Sequence, residues 1–233
     1  MGKPAQKRLV RRLDLELFLS KIAPHPSPQA SLEQYTISED TAATMLYLSA
    51  YARSDIIGKS VLDLACGTGR LALGAAFLGA KEVVGADSDK SAIKTALKNS
   101  QTSELKNSVH WVACDLGAIA GRFDTVLENP PFGVQTRAAD RKFLEKALEV
   151  GSSIYSLHNH PVVDKHLMTL FKRGGKDLIQ VSPSPFMESF VEKRGGVIQA
   201  VYALPMTIPK MFDFHTQSKR QIIVDLYVIE KKL

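Results

Sequence analysis

FDTVLENPPF, residues 123–132, joins a short apolar run to a polar, proline-rich turn. The run Phe123–Glu128 predicts a buried strand bounded by turn residues. The tetrapeptide Asn129–Phe132 then lies where this strand ends, which is where ligands bind in an open α/β sheet. The stretch therefore predicts one strand of a sheet and a binding loop directly after it.

The tetrapeptide suits a planar substrate that donates hydrogen bonds. Pro130 and Pro131 have no N–H, so the loop offers backbone acceptors and few donors. Asn129 adds a side-chain acceptor, and Phe132 offers a flat face on which a ring can stack. A rigid turn with a core phenylalanine would use the same residues. The tetrapeptide alone leaves both interpretations open.

From residue 60 onward, predicted strands and helices alternate with short loops, which is typical of parallel βαβ units. The sequence predicts seven strands, at Ser60–Leu64, Glu82–Asp87, Val109–Cys114, Phe123–Asn129, Ser153–His158, Val197–Leu204 and Gln221–Glu230. It predicts helices from near residue 38 and at about 70–78, 90–100, 140–150, 161–172 and 185–193. We expect an α/β fold with a mostly parallel sheet, helices on both faces and an antiparallel last strand.

Residues 1–30 precede this pattern and form a segment of their own. Basic residues crowd its first half, at Lys7, Arg8, Arg11 and Arg12. Leucines recur at helical spacing, at Leu9, Leu13 and Leu17. A stiff proline-rich linker follows at residues 24–28. The segment is either a docked amphipathic helix with a solvated basic face or an arm that contacts nucleic-acid phosphates. Residues 31–233 are predicted to form the main domain.

The overall composition indicates a cytoplasmic chain with an anionic partner. The net charge is +6 and the isoelectric point is about 9.2. Cys66 and Cys114 lie in predicted core segments without metal-site spacing, so we expect reduced thiols and no metal. No apolar run comes close to the length of about 18 residues that a helix needs to span a bilayer.

A glycine-rich loop, Asp63–Gly69, follows the first predicted strand. Its glycines permit a tight turn, and the helix after it offers free N–H groups. Asp87 comes 20 residues after Gly67, so the loop also fits a loose dinucleotide fingerprint. Asp63 argues against a dinucleotide, because a pyrophosphate beside it would be repelled by about 4 kcal/mol per charge pair. A cationic cofactor would be attracted instead.

S-adenosylmethionine matches three acids that end three successive predicted strands. Its ammonium and sulfonium suit Asp63, its ribose diol suits Asp87, and its adenine amino group suits Asp115. One such acid would be an ordinary turn residue. The three acids together with the glycine loop indicate an S-adenosylmethionine site.

These residues resemble those of the Rossmann-type S-adenosylmethionine-dependent methyltransferases. More narrowly, the chain is similar to the methyltransferase-like protein 5 family, which methylates adenine N6 in small-subunit ribosomal RNA, and to its archaeal relatives. The resemblance covers about residues 30–230 and is carried by Leu32–Tyr35, Asp63–Gly69, Asp124–Val126, Asn129–Gly133, Tyr155–His158, Phe214–His215 and Val224–Leu226. Residues 159–183 look inserted relative to the shorter eukaryotic pattern, and Asn159 stands where that pattern favours Lys.

The resemblance implies three groups of site residues. The catalytic group is Asn129, Pro130, Pro131 and Phe132. The cofactor would be bound by Gln34, Tyr35, Thr36, Asp63, Ala65, Gly67, Gly69, Asp87, Ser88, Asp115, Leu116 and Asn129. The RNA would be bound by Phe132, Gly133, His158, Phe214, His215, Lys219 and Arg220. The two histidines are either proton acceptors or structural side chains.

The residues leave alternative functions open. A similar motif, usually ending in Tyr, serves glutamine-N5 methyltransferases that act on translation factors, and DNA adenine is a related target. A non-catalytic RNA-binding scaffold is a third possibility, although the intact acids and tetrapeptide count against it. In any nucleic acid the target adenosine must be unpaired or flipped to enter such a pocket.

The resemblance also implies a protein partner. Relatives in this family form a heterodimer with a small zinc-binding activator protein. The strand Val109–Cys114 is expected at one edge of the sheet with apolar residues on both faces, and such an edge invites pairing. Alternatively, the polar loop 99–108 covers this edge.

Overall fold

The computed structural model describes residues 9–29, 34, 36–103, 105, 108–132, 139–162, 164–174, 178–209 and 219–232. Its strands are β1 Ser60–Leu64, β2 Glu82–Asp87, β3 His110–Ala113, β4 Phe123–Glu128, β5 Gly151–Asn159, β6 Ile179–Val181, β7 Gly196–Pro209 and β8 Lys219–Lys231. Its helices are α1 Arg12–Ser20, α2 Glu39–Tyr47, α3 Arg70–Phe77, α4 Lys90–Thr102, α5 Ala139–Val150, α6 Lys165–Lys172 and α7 Pro185–Glu192. A π-helical turn, Leu48–Ala52, extends α2, and a short 3₁₀ helix, Leu116–Ala118, follows β3.

The strands form one sheet in the order β3-β2-β1-β4-β5-β8-β7-β6. Strands β1 to β5 run parallel, β8 is antiparallel to β5 and β7, and β6 is antiparallel to β7. The predicted mostly parallel sheet is confirmed. The carboxyl ends of β1 to β5 therefore meet along one rim, where an open α/β sheet binds its ligands.

The predicted strand number is wrong, because the described sheet has eight strands rather than seven. The additional strand, β6, has three residues and pairs with Val201–Ala203 of β7. It lies within the segment that looked inserted. A three-residue strand is too short to show a period of two in the sequence, so tertiary pairing alone reveals it.

Two apolar cores cover the two faces of the sheet. Alternation along β4 separates them, since Leu127 packs into the core under α1, α2 and α3 and Val126 packs into the core under α5 and α7. β5 alternates in the same way, with Tyr155 in the first core and Ile154 in the second. This period of two is that of a strand buried on both faces. Helices on both faces are thereby confirmed.

The N-terminal helix docks through different residues from those predicted. Leu15 and Leu19 are fully buried, and the ring of Phe18 stacks on Phe77 with a centroid distance of 4.3 Å. Leu13 and Leu17 are instead exposed, by 59% and 53%, and Leu9 is also exposed. The leucine spacing fits either side of a helix, and contact with α2 and α3 selects the other side.

Arg11 and Arg12, the described members of the basic cluster Lys7, Arg8, Arg11 and Arg12, have acidic partners. Arg11 forms an ion pair with Asp14 at 2.7 Å, and Arg12 forms one with Asp40. Lys7 and Arg8 lie outside the described residues. The docked-helix interpretation therefore fits α1 better than a free arm does.

The edge position of β3 is confirmed, since its neighbour in the described sheet is β2 alone. The predicted strand Val109–Cys114 is partly buried, since Val109 is buried and Cys114 packs partly against the core of the opposite face. His110, Val112 and Ala113 are exposed, while Trp111 is half-buried. An edge strand has a neighbouring strand on one side only, which leaves these side chains exposed to solvent. Among the described residues, no helix is long and apolar enough to cross a membrane.

Candidate functional site

A cavity of about 290 Å³ opens at the carboxyl ends of β1, β2 and β3. Five residues that were predicted to bind the cofactor line it, namely Ala65, Asp87, Ser88, Asp115 and Leu116. The other lining residues were not predicted, and they are Leu64, Ala86, Cys114, Ile119, Lys142 and Phe143. Most of these are apolar side chains, and apolar residues in a sequence carry no signal that separates a pocket wall from the core.

The loop between β1 and α3 has an unusual backbone. Gly67 and Gly69 have φ angles of +53° and +85°, and Ala65 has a φ of +60° although it carries a Cβ. A non-glycine residue in this region stores strain that its surroundings must support, and such residues cluster at functional sites. Gly69 also lies against the indole of Trp111, and a Cβ at this position would overlap that ring.

Asp87 connects this loop to the end of β2. Its Oδ2 accepts a hydrogen bond from the N–H of Gly67 at 2.8 Å, and its Oδ1 accepts one from the N–H of Asp89 at 2.9 Å. Burial raises the pKa of this carboxyl above its usual value, although the two N–H donors oppose that effect. Each carboxylate oxygen keeps a further lone pair. Asp87 can therefore accept hydrogen bonds from a diol in the cavity while it holds the loop.

Asp63 lies behind the loop and does not line the cavity. It is 1% exposed, and its Oδ2 accepts a hydrogen bond from the N–H of Ala72 in the first turn of α3 at 2.8 Å. Burial raises its pKa to about 7. Its direct contact with a cofactor stays a prediction. In the structure it joins β1 to the start of α3.

The linker before α2 is attached to the cofactor loop by side chains that were not predicted. Asn99 donates hydrogen bonds to the carbonyls of Ala23 and Thr68, at 3.1 and 3.0 Å. The buried guanidinium of Arg70, the first residue of α3, donates to the carbonyls of Ile22 and Ile37. These contacts hold the N-terminal segment beside the glycine loop. No sequence motif marked them, because they depend on tertiary packing.

Gln34 lies near the site but contacts another protein side chain. Its amide donates to Oδ2 of Asp89 at 2.7 Å, and the same oxygen lies 3.0 Å from Nε2 of His25. Thr36 is half-buried in the same segment. Tyr35 lies outside the described residues. The predicted cofactor contacts of this segment stay predictions.

The tetrapeptide lies at the carboxyl end of β4, next to β1 in the sheet. Pro130 is buried, whereas Asn129, Pro131 and Phe132 are half-buried. Phe132 packs partly against the core that lies under α1, α2 and α3. Of the predicted RNA contacts, His158 is buried at the end of β5. Gly133, Phe214 and His215, and the side chains of Lys219 and Arg220, lie outside the described residues.

A chain of hydrogen bonds lies beside the tetrapeptide, and three of its four members were not predicted. Oε1 of the fully buried Glu128 is 2.6 Å from Oγ of Ser156, which is 2.8 Å from Nε2 of His158. Nδ1 of His158 is 3.4 Å from Oδ2 of Asp140, near the start of α5. Glu128 is paired with Ser156 in the register of β4 and β5, so both side chains lie on the same face.

Comparison with known proteins identifies the class. The family model described as "Methyltransferase small domain" matches residues 38–160, which is more than half of the chain. A Pyrococcus horikoshii structure, provisionally assigned as an RNA methyltransferase, is 34% identical, with a TM-score of 0.79 over 97% of this chain and 100% of that one. An uncharacterised Methanocaldococcus jannaschii protein is 35% identical over 96% of this chain and 95% of its own length.

A further relative indicates which methyltransferase family the chain belongs to. The Danio rerio protein named rRNA N(6)-adenosine-methyltransferase METTL5 is 33% identical over 91% of this chain and 95% of its own length. The chain is thus an S-adenosylmethionine-dependent methyltransferase, and its cavity fits that cofactor because apolar side chains surround the carboxyl of Asp87. It belongs to the methyltransferase-like protein 5 (METTL5) family.

Proposed function

We propose that this enzyme transfers a methyl group from S-adenosylmethionine to the N6 amine of an unpaired or flipped adenosine in ribosomal RNA. The Danio rerio relative is named as an rRNA N(6)-adenosine-methyltransferase. Small-subunit RNA is the expected target. The observation that carries the proposal is the position of Asn129–Phe132 at the end of β4, on the same rim as the cofactor cavity.

The tetrapeptide supplies the groups that the reaction needs. Adenine N6 is a weak nucleophile because its lone pair is delocalised into the ring. The side-chain oxygen of Asn129 and the carbonyl of Pro130 accept the two amino hydrogens and direct that lone pair out of the ring plane. Phe132 stacks on the base. Alignment of the two reactants then provides most of the acceleration, and no strong base is needed.

The cavity residues hold the cofactor, which supplies an electrophilic methyl group when bound. Asp87 accepts hydrogen bonds from the ribose diol, and Asp115 accepts from the adenine amino group. Leu116, Ile119 and Phe143 provide apolar contacts for the adenine ring. Asp63 and the glycine loop favour the positively charged methionine end.

An exposed cation–aromatic pair beside the rim suits an RNA strand. The guanidinium of Arg141 lies 4.2 Å from the ring centre of Phe186, which is 47% exposed. Arg141 follows Asp140, the neighbour of His158. Stacking and phosphate contact by such pairs give sequence-tolerant binding to single strands. A cytoplasmic location, expected from the sequence, agrees with a ribosomal substrate.

We also propose that the small zinc-binding activator docks on β3. The outer edge of this strand is at the end of the described sheet, and Val112 on it is 39% exposed. Backbone groups on an open edge can extend the sheet into a partner. Co-expression with the activator should give a heterodimer that Val112→Pro removes and Val112→Thr retains. A proline variant that still co-purifies would place the partner elsewhere.

The activity is tested with the purified enzyme, S-adenosylmethionine carrying a deuterated methyl group, and ribosomal RNA from cells that lack the enzyme. We expect deuterated N6-methyladenosine in the digested nucleosides, formed about 10²–10³-fold more slowly by Asn129→Ala, the matched control. Label found only in protein would favour the glutamine-N5 alternative. Absence of transfer to either, with cofactor binding intact, would favour the non-catalytic scaffold.

A further inference from the structure

The buried Glu128 is not explained by cofactor or substrate binding. Its side chain is fully buried, and its Oε2 has no hydrogen-bond partner among the described residues. A carboxylate in this place would leave negative charge on an oxygen without a donor, which is costly in an apolar environment. A neutral carboxylic acid avoids that cost if its proton is on Oε1, where Ser156 can accept it.

A neutral Glu128 gives the whole chain one direction. The acid O–H donates to Oγ of Ser156, the Ser156 hydroxyl donates to Nε2 of His158, and N–H at Nδ1 of His158 donates to Asp140. Every donor then has an acceptor, and the chain ends on a carboxylate. Although burial raises the pKa of Asp140, its hydrogen bond with His158 lowers it below the usual value overall.

Ionisation of Glu128 would reverse this direction. The carboxylate must accept from Ser156, and Oγ of Ser156 then accepts from N–H at Nε2 of His158. A neutral His158 would present the lone pair of Nδ1 to the Asp140 carboxylate, so the contact between β5 and α5 would become repulsive. An additional proton on His158 would be required to restore it.

We propose that Glu128, Ser156 and Asp140, acting with His158, are positioning residues whose hydrogen-bond chain holds Asn129, the residue after Glu128, in the geometry for methyl transfer. The chain joins Glu128, at the end of β4, through Ser156 and His158 of β5 to Asp140 near the start of α5, so it fixes the end of β4 relative to α5. This inference rests on the proposed function. Burial raises the pKa of Glu128 to about 8, which agrees with its neutral form at neutral pH.

Other charged groups around the chain must be separated from Glu128. Asp225 on β8 is paired with His158 in the sheet register and is buried, with Oδ1 2.8 Å from Nδ1 of His160. Arg141 on α5 lies next to Asp140. The ring of Tyr227 on β8 contacts His158 edge-on, with a centroid distance of 5.4 Å. Asp225 is thus the nearby buried carboxyl that serves as a control.

The test measures kcat at saturating substrates from pH 6 to 9.5, with each variant normalised to its own value at pH 7. The normalised rate of the unmodified enzyme should fall about tenfold between pH 8 and 9.5, as expected for one ionisation. Glu128→Gln should stay within about twofold, because its amide donates to Ser156 at every pH. Asp225→Asn should keep the fall, as should Tyr155→Phe, which alters a strand side chain on the opposite face of β5.

An alkaline fall that persists in Glu128→Gln, or its absence from the unmodified enzyme, would overturn the proposal. A second measurement is independent of turnover. Infrared difference spectra should show the carbonyl band of a neutral carboxylic acid at pH 7 that disappears above about pH 8 and is missing from Glu128→Gln. A carboxylate at pH 7 overturns the proposal even in an inactive sample. An unmodified enzyme that methylates no adenosine would instead contradict the proposed function.

Discussion

The cofactor side and the substrate side of the site are built by different means. On the cofactor side, Asp63 and Asp87 accept hydrogen bonds from backbone N–H groups. On the substrate side, Glu128 and His158 are joined through side chains alone. Hydrogen bonds from the backbone fix the shape of a loop. A hydrogen-bond chain between side chains also depends on which of their atoms carry protons. We expect alkaline pH to disturb the substrate side more, because ionised Asp63 and Asp87 still accept from the same N–H groups, whereas ionised Glu128 reverses its chain.

The largest effect is expected at the substrate side. Asn129→Ala should reduce kcat by about 10²–10³, as loss of one preorganised hydrogen bond at a reacting group does. The affinity for S-adenosylmethionine, measured by calorimetry, should change little. Near-normal N6-methyladenosine formation by this variant would show that the tetrapeptide is only a turn.

On the cofactor side, Asp87→Ala should raise the Kd for S-adenosylmethionine about ten- to hundredfold, because a hydrogen bond to a charged group contributes about 1.5–3 kcal/mol. Calorimetry checks this value. Asp115→Ala is the matched control, and it should have a smaller effect because Asp115 is exposed and supports no loop N–H in the described contacts. Equal effects would remove the distinction between the two acids.

Stability should report the same buried proton on the substrate side. Glu128 has a pKa of 4.5 when unfolded and about 8 when folded. Between these values the unfolded chain binds fewer protons, so the free energy of unfolding falls as pH rises. The Tm of Glu128→Gln relative to the unmodified protein should therefore increase from pH 5 to 8 and then level off. Each kcal/mol of difference in the free energy of unfolding corresponds to about 2–4 °C in Tm. A difference independent of pH would mean that Glu128 is ionised in the folded protein.

The smallest effect concerns the RNA surface. Arg141→Ala should weaken RNA binding a few-fold and reduce the salt dependence of log Kd by about 0.7, the value for one phosphate contact on a single strand. Arg194→Ala is the matched control, since its guanidinium lies on Phe190 and pairs with Glu145. Fluorescence anisotropy at several salt concentrations measures both. Identical slopes would exclude Arg141 from the RNA surface.

The comparison also explains what could be predicted from the sequence. The glycine loop and Asp87 were predictable because the backbone there needs particular residue types in a fixed order. Glu128 was not, because it looks like one polar residue in a strand until the register of β4 and β5 places it opposite Ser156. The docked face of α1 was predicted wrongly for a related reason. Its leucines allow two faces, and packing against Phe77 selects one.

Trp111 is an intrinsic fluorescent probe of the glycine loop. It is the single tryptophan of the chain, its indole N–H donates to Oγ of Ser100 at 3.3 Å, and its ring lies against both Gly69 and Gly85. Tryptophan emission depends on the polarity and rigidity of its surroundings. Intrinsic fluorescence of the unlabelled enzyme therefore reports the state of the glycine loop directly, without a second tryptophan to obscure the signal.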